Sequence, residues 1–301
     1  MSDKRYELRR QVKSVRWMIF WVVLAQFAAE TAIEAAVSFM PTPPHNYIRI
    51  AAIELIAIGV PIMVYAKTAW NGKSVKSELC LNKTQIGFFI LAAILGVCGQ
   101  FVMMLLNIPG NILITRILGS AATETVPVAM GWGEVLLGLL CLVAVPAVLE
   151  EFWMRGIIFR AYNRCNTKAA VLFTAIIFAF LHMRLNELAG FLFMGIVASL
   201  ILIKSNSLYA AMVYHAFSNL TALLFSVYIA PGIFNYLFLV LAVAVLVFVL
   251  AFMLLVRQKN AMPIQKEFKT GGLVVNSVFS LPVILSIAVV VLKSFLLKIA
   301  G

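Results

Sequence analysis

Charge is scarce in this chain. Asp, Glu, Lys and Arg make up 12% of its 301 residues against 63% hydrophobic residues, and the mean hydropathy is +1.02. That balance excludes a soluble globular domain and a disordered chain alike. Strand-like alternation of apolar and polar residues is also missing, which argues against a β-barrel. The four cysteines, Cys80, Cys98, Cys141 and Cys165, show no C-x-x-C spacing, so no disulfide framework or redox motif is expected, and no role is assigned to them. Ser199, Ser207 and Ser218 lack a G-x-S-x-G setting, and no H-E-x-x-H is present. Internal repeats and low-complexity tracts are absent too. The longest segment between apolar runs, 107–132, contains Pro109, Gly110 and Pro127 and reads as an outer loop rather than a domain.

What is present is a succession of apolar runs of about 20 residues, each long enough to cross a ~30 Å hydrocarbon core as a helix. The expected fold is therefore all-α, a polytopic transmembrane helix bundle of eight to nine spans. The candidate spans are 16–40, 47–66, 85–106, 133–159, 169–183, 188–203, 208–229, 233–256 and 273–297. They divide into an N-terminal part, 1–132, a core of helices 4–7, 133–229, and a C-terminal pair, 230–301. The stretch 4–29 competes as a secretory signal peptide, but no A-x-A cleavage site follows it, so a retained first helix is expected.

The net charge of +12 invites a nucleic-acid reading, which the placement of the basic residues opposes. With the N-terminus in the cytoplasm, 19 of 24 Lys and Arg fall on inside segments: 1–16, 67–83, 155–168, Lys204 and 257–269. Only Arg49, Arg116, Arg184, Lys293 and Lys298 remain. The positive-inside rule thus accounts for the basicity, and the N-terminus is expected inside and the C-terminus outside. The basic connector 257–270 then reads as a contact for anionic lipid headgroups.

Charged groups at membrane depth cost about 2.5 to 3.5 kcal/mol each on insertion scales, so each is a candidate for function. Glu30 and Glu34 on the first span, with Arg49 and Glu54 on the second, are read as structural ion pairs across the first hairpin. A second set differs because three spans carry it. It consists of Glu150, Glu151 and Arg155 in EEFWMR, Phe178 and His182 in FAFLH, and His215 and Asn219 in HAFSN. Two of the three histidines fall here, His45 lying in the outer loop. Glu150 precedes the polar turn at Asn166 by 16 residues and His182 follows it by 16. Both lie roughly 24 Å from that turn at 1.5 Å per residue, so they can face each other. Glu151 and Arg155 are i,i+4 with the acid first, which lets the cation neutralise one carboxylate. Glu150 is rotated by about 100° from Glu151, so the two acids have separate duties.

For any one of these residues, a polar network fastening helices is an adequate account. Interhelical hydrogen bonds contribute only about 0.6 to 2 kcal/mol, however, which is a poor reason to bury two Glu, one Arg and two His together. A carboxylate shielded from bulk water is a competent general base near neutral pH. Glu150 beside His182 is suited to deprotonating water, with His215 and Asn219 as donors to the oxyanion of an attacked carbonyl. The reaction class is hydrolysis of an acyl bond, above all a peptide. No cofactor is expected. Zinc held by Glu150, His182 and His215 is the alternative.

The ordered motifs E-E-x-x-x-R, F-x-x-x-H and H-x-x-x-N resemble the CPBP family. These are the CAAX proteases and bacteriocin-processing proteins, also called Abi, related to the type II CAAX prenyl endopeptidase. The resemblance covers about 133–229 and implies that Glu150 and His182 activate water while His215 and Asn219 form the oxyanion hole. It implies that Glu151, Arg155 and Phe178 support them. It favours a metal-independent glutamate mechanism, although the family has also been described as metalloproteases. The implied partners are a peptide or lipidated-peptide substrate and membrane lipids. A non-enzymatic immunity or scaffolding protein is the alternative of another class, and a proton-coupled carrier a third, disfavoured by the lack of paired broken helices. The absence of organelle targeting signals points to a bacterial plasma membrane.

Overall fold

The computed structural model describes residues 2–42, 44–69, 74–118, 131–182, 184–225 and 236–300. Among them the chain is helical, with a lone antiparallel bridge between Asn166 and Lys266. Helices are the only open-chain solution for apolar runs in lipid, because they satisfy their backbone groups internally. The helices are α1 (Ser2–Ser38), α2 (Asn46–Thr68), α3 (Ile86–Leu118), α4 (Trp132–Asn163), α5 (Thr167–Leu181), α6 (Leu188–Ser205), α7 (Leu208–Leu224), α8 (Leu237–Arg257), α9 (Thr270–Val278) and α10 (Leu281–Ala300).

Six of these are long and apolar enough to cross a membrane, or seven if α9 and α10, bent by 51°, form one span. The chain is thus a multi-pass membrane protein. The expected eight to nine spans exceed that number because α5 and α7 are shorter apolar helices. At 15 and 17 residues they rise only about 22 and 26 Å. They sit inside the bundle, with α6 alongside α5, and α3 along α6, α7 and α8. Both are bounded by polar turns, Arg164–Asn166 before α5 and the left-handed Asn206 before α7. The expected end of the α7 span, 226–229, lies outside the described residues.

The loop expected over 107–132 is also corrected. Helix α3 runs on through Pro109 to Leu118, and 119–130 lie outside the described residues. Tertiary contacts hold this extension. Asn107 Oδ1 accepts from the Gly190 amide at 2.8 Å, and Asn186 Nδ2 donates to Asn111 Oδ1 at 2.8 Å. A Cβ on Gly110 would stand 2.3 Å from the Asn186 carbonyl oxygen, so only glycine admits this approach.

The first hairpin forms part of its expected ion-pair group, since Arg49 Nη1 holds both Glu34 oxygens at 3.0 and 2.9 Å. The 257–270 connector is folded onto the bundle. Asn166 Nδ2 donates to the Phe268 carbonyl at 2.7 Å, the Gln265 amide donates to Thr167 Oγ1 at 2.9 Å, and Met262 is buried. All four cysteines are free thiols. Burial pushes the Cys165 thiol up to about 11, against the opposing pull of Arg164, so it stays un-ionised and inert.

Candidate active site

The two acids of α4 sit on a regular turn between two widened, i→i+5 stretches, Leu139–Ala144 and Phe152–Phe159. Such turns recur at functional sites because they rotate side chains off the normal helical register and free a carbonyl. The Leu142 carbonyl, whose i+4 residue Pro146 has no N–H to give, accepts from Asn219 Nδ2 of α7 at 3.3 Å.

Glu151 and Arg155 are completely sealed, with 0% side-chain exposure each. Glu151 Oε1 accepts from Arg155 Nη1 at 2.8 Å and from His215 Nδ1 at 3.0 Å. The expected i,i+4 pair therefore forms, and it has a further duty that the spacing did not reveal: it orients the histidine of α7. Arg155 Nη2 donates to the Gly195 carbonyl at 3.2 Å, and its guanidinium lies 4.9 Å above the Phe178 ring. Gly195 is needed there, because a Cβ would meet Ala175 Cα at 2.7 Å and force α6 away from α5.

His182 ends α5. Its Nδ1 lies 2.8 Å from the Phe178 carbonyl, which can only accept, so Nδ1 carries the proton and Nε2 is left with its lone pair. That Nε2 stands 3.9 Å from Glu150 Oε2, and His215 Nε2 stands 4.0 Å from the same oxygen. Two imidazoles on two helices thus converge on one carboxylate oxygen, as the depth arithmetic for Glu150 and His182 anticipates. The exposed side is theirs as well: Glu150 and His182 keep 15% and 25% side-chain exposure, against 2% for His215.

Phe178 is buried where expected, 4.5 Å from the His182 ring and 5.9 Å from the His215 ring. Phe191 was not anticipated. It stacks on His182 at 3.8 Å and fixes the ring plane from α6. One phenylalanine among 22 in an apolar helix carries no signal of its own in the sequence. The three serines considered as nucleophiles are otherwise engaged. Ser199 donates to Gly195 O at 2.8 Å, Ser207 to Asn82 O at 2.7 Å and Ser218 to Gln100 Oε1 at 2.9 Å.

Among the described residues no group of three or more His, Cys, Asp or Glu side chains is placed to hold a metal ion. The Glu150 separations of 3.9 and 4.0 Å exceed the roughly 3.4 Å between ligands around a tetrahedral zinc with ~2.1 Å bonds. As positioned, Glu150, His182 and His215 do not fit zinc.

All seven motif residues lie within residues 132–221, and this segment matches the family model described as type II CAAX prenyl endopeptidase Rce1-like. Over these residues, about three tenths of its length, the chain is similar to the CAAX protease family. That family is one of proteases, and the match supports protease activity in general, with a peptide substrate and a membrane setting. No curated protein and no solved structure matches the chain.

Proposed function

We propose that the chain is an intramembrane endopeptidase that hydrolyses a peptide bond near the cytoplasmic face of a bacterial plasma membrane. The observation that carries this reading is the convergence of His182 Nε2 and His215 Nε2 on Glu150 Oε2 at 3.9 and 4.0 Å. These gaps are too long for direct hydrogen bonds and suit a water bonded at about 2.8 Å to the carboxylate and an imidazole.

Glu150 takes the proton from this water while the His182 lone pair holds and aims it at the scissile carbonyl. As the carbonyl oxygen becomes an anion, the imidazolium form of His215 donates through Nε2–H, its Nδ1–H being held by Glu151. Asn219 supplies the second donor through the amide hydrogen that is not given to Leu142. The sealed Arg155 balances Glu151, so the two acids next to each other carry different duties. The substrate class is a prenylated CAAX-like peptide or a bacteriocin or signal-peptide precursor. The basic ends of α4 and α6, Arg160, Arg164 and Lys204, support a cytoplasmic placement of that end of the bundle.

The test is cleavage of an internally quenched farnesylated CAAX peptide and of an unmodified precursor peptide by the purified protein in lipid vesicles. Asn219→Ala should lower kcat by about 10² to 10³ with KM little changed, as expected for a donor felt only in the transition state. An unchanged kcat removes Asn219 from the oxyanion hole. The same assay in 1,10-phenanthroline should show the untreated rate, whereas loss restored by added zinc would return Glu150, His182 and His215 to the role of metal ligands.

A further inference from the structure

The mechanism above leaves one buried acid unused. Glu54 was expected to join the ion pairs of the first hairpin, but Arg49 is taken by Glu34. On α2, Tyr47 and Ala51 pack against Cys141 of α4, and Glu54 extends that stripe by one further turn. Its Oε2 is shielded from the surroundings and has no hydrogen-bond partner among the described residues. Helix α2 through Glu54 packs along 139–151 of α4, the stretch that carries both Cys141 and Glu150. An acid with an unsatisfied buried oxygen is expensive in a membrane unless something arrives to use it.

We propose that Glu54 is a catalytic residue of this site, the acid that protonates the departing amine of the cleaved peptide. This rests on the protease reading and assigns the half of the reaction that Glu150 and His182 leave open. Attack by water forms the new C–O bond and passes a proton to Glu150. Collapse of the tetrahedral intermediate breaks the C–N bond, and the nitrogen takes its proton from Glu54. Glu54 is then reprotonated by Glu150, so the pair returns to one proton between its two carboxylates and water has been added across the amide. Glu150 Oε2 is already flanked by His182 and His215. Glu54 approaches from the second helix, with a free oxygen for the leaving group.

The experiment compares two probes with one acyl sequence, an internally quenched peptide amide and its aryl thioester, whose thiolate departs without protonation. Glu54→Gln should slow amide cleavage by about 10² to 10³ in kcat while leaving thioester cleavage within a factor of about three. Glu54→Asp should recover part of the amide rate, and thermal unfolding of both variants should match the wild type within a few degrees. Equal losses on both probes would reduce Glu54 to structural support, and an undiminished amide rate would return the proton delivery to Glu150. The two readings fail separately. Glu150→Gln protein cleaving both probes at the wild-type rate, or a wild type cleaving neither, overturns the protease reading itself.

Discussion

Purified Glu150→Gln protein will fold and will not cleave peptide. Glutamine is nearly isosteric with glutamate, and the neighbours of Glu150, the two imidazole Nε2 atoms, stand at 3.9 and 4.0 Å rather than in direct hydrogen bonds. The substitution therefore breaks no short contact. It does remove the carboxylate oxygen on which both histidines converge, and an amide cannot take a proton from water. Loss of a positioned general base costs about 10² to 10⁴ in rate, and members of a catalytic set that act as a unit cost still more. A fall of about 10⁴ or greater in kcat is expected, read in the vesicle assay beside a thermal unfolding curve that overlays the wild type. Cleavage at the wild-type rate would move the weight to the scaffolding or immunity reading of this fold.

Glu151→Gln should act chiefly on stability. One oxygen of Glu151 holds both Arg155 at 2.8 Å and His215 at 3.0 Å, and the acid and the guanidinium have 0% side-chain exposure. A glutamine keeps one acceptor but removes the counter-charge, and its amide hydrogens face a guanidinium. Breaking a buried pair on one side costs about 3 to 5 kcal/mol, because a charge is left uncompensated. The phenylalanine face below Arg155 and the Gly195 carbonyl supply only part of what is lost. The check is denaturation in detergent, with the double variant Glu151→Leu/Arg155→Met as partner. The double variant should be much more stable than Glu151→Gln alone, since it removes both charges together. If the single variant unfolds with the wild type, the pair does not hold the core together. Activity should also fall in Glu151→Gln, through the loosened His215 ring.

The sequence by itself determined the medium and the helices, and it placed two Glu, one Arg and two His on the central helices. Apolar runs of membrane length leave the backbone no other partner than itself, so the all-α outcome was legible residue by residue. Equally legible were the i,i+4 spacing of Glu151 and Arg155 and the matched depth of Glu150 and His182, because both follow from helical rise and period alone. The tertiary structure decided the rest, because periodicity fixes which face of a helix a residue occupies but not which helix that face meets. Only the packing of α4 on α7 gives one Glu151 oxygen to both Arg155 and His215. No residue pattern announces the widened turns on either side of Glu150, nor that Asn219 of α7 would donate to the Leu142 carbonyl. Contacts distant in sequence likewise carry α3 past Pro109, bring Phe191 onto His182, and give Arg49 to Glu34, which leaves Glu54 outside the ion pair expected across the first hairpin. In each case a local preference was overruled by a neighbour that only the folded bundle supplies.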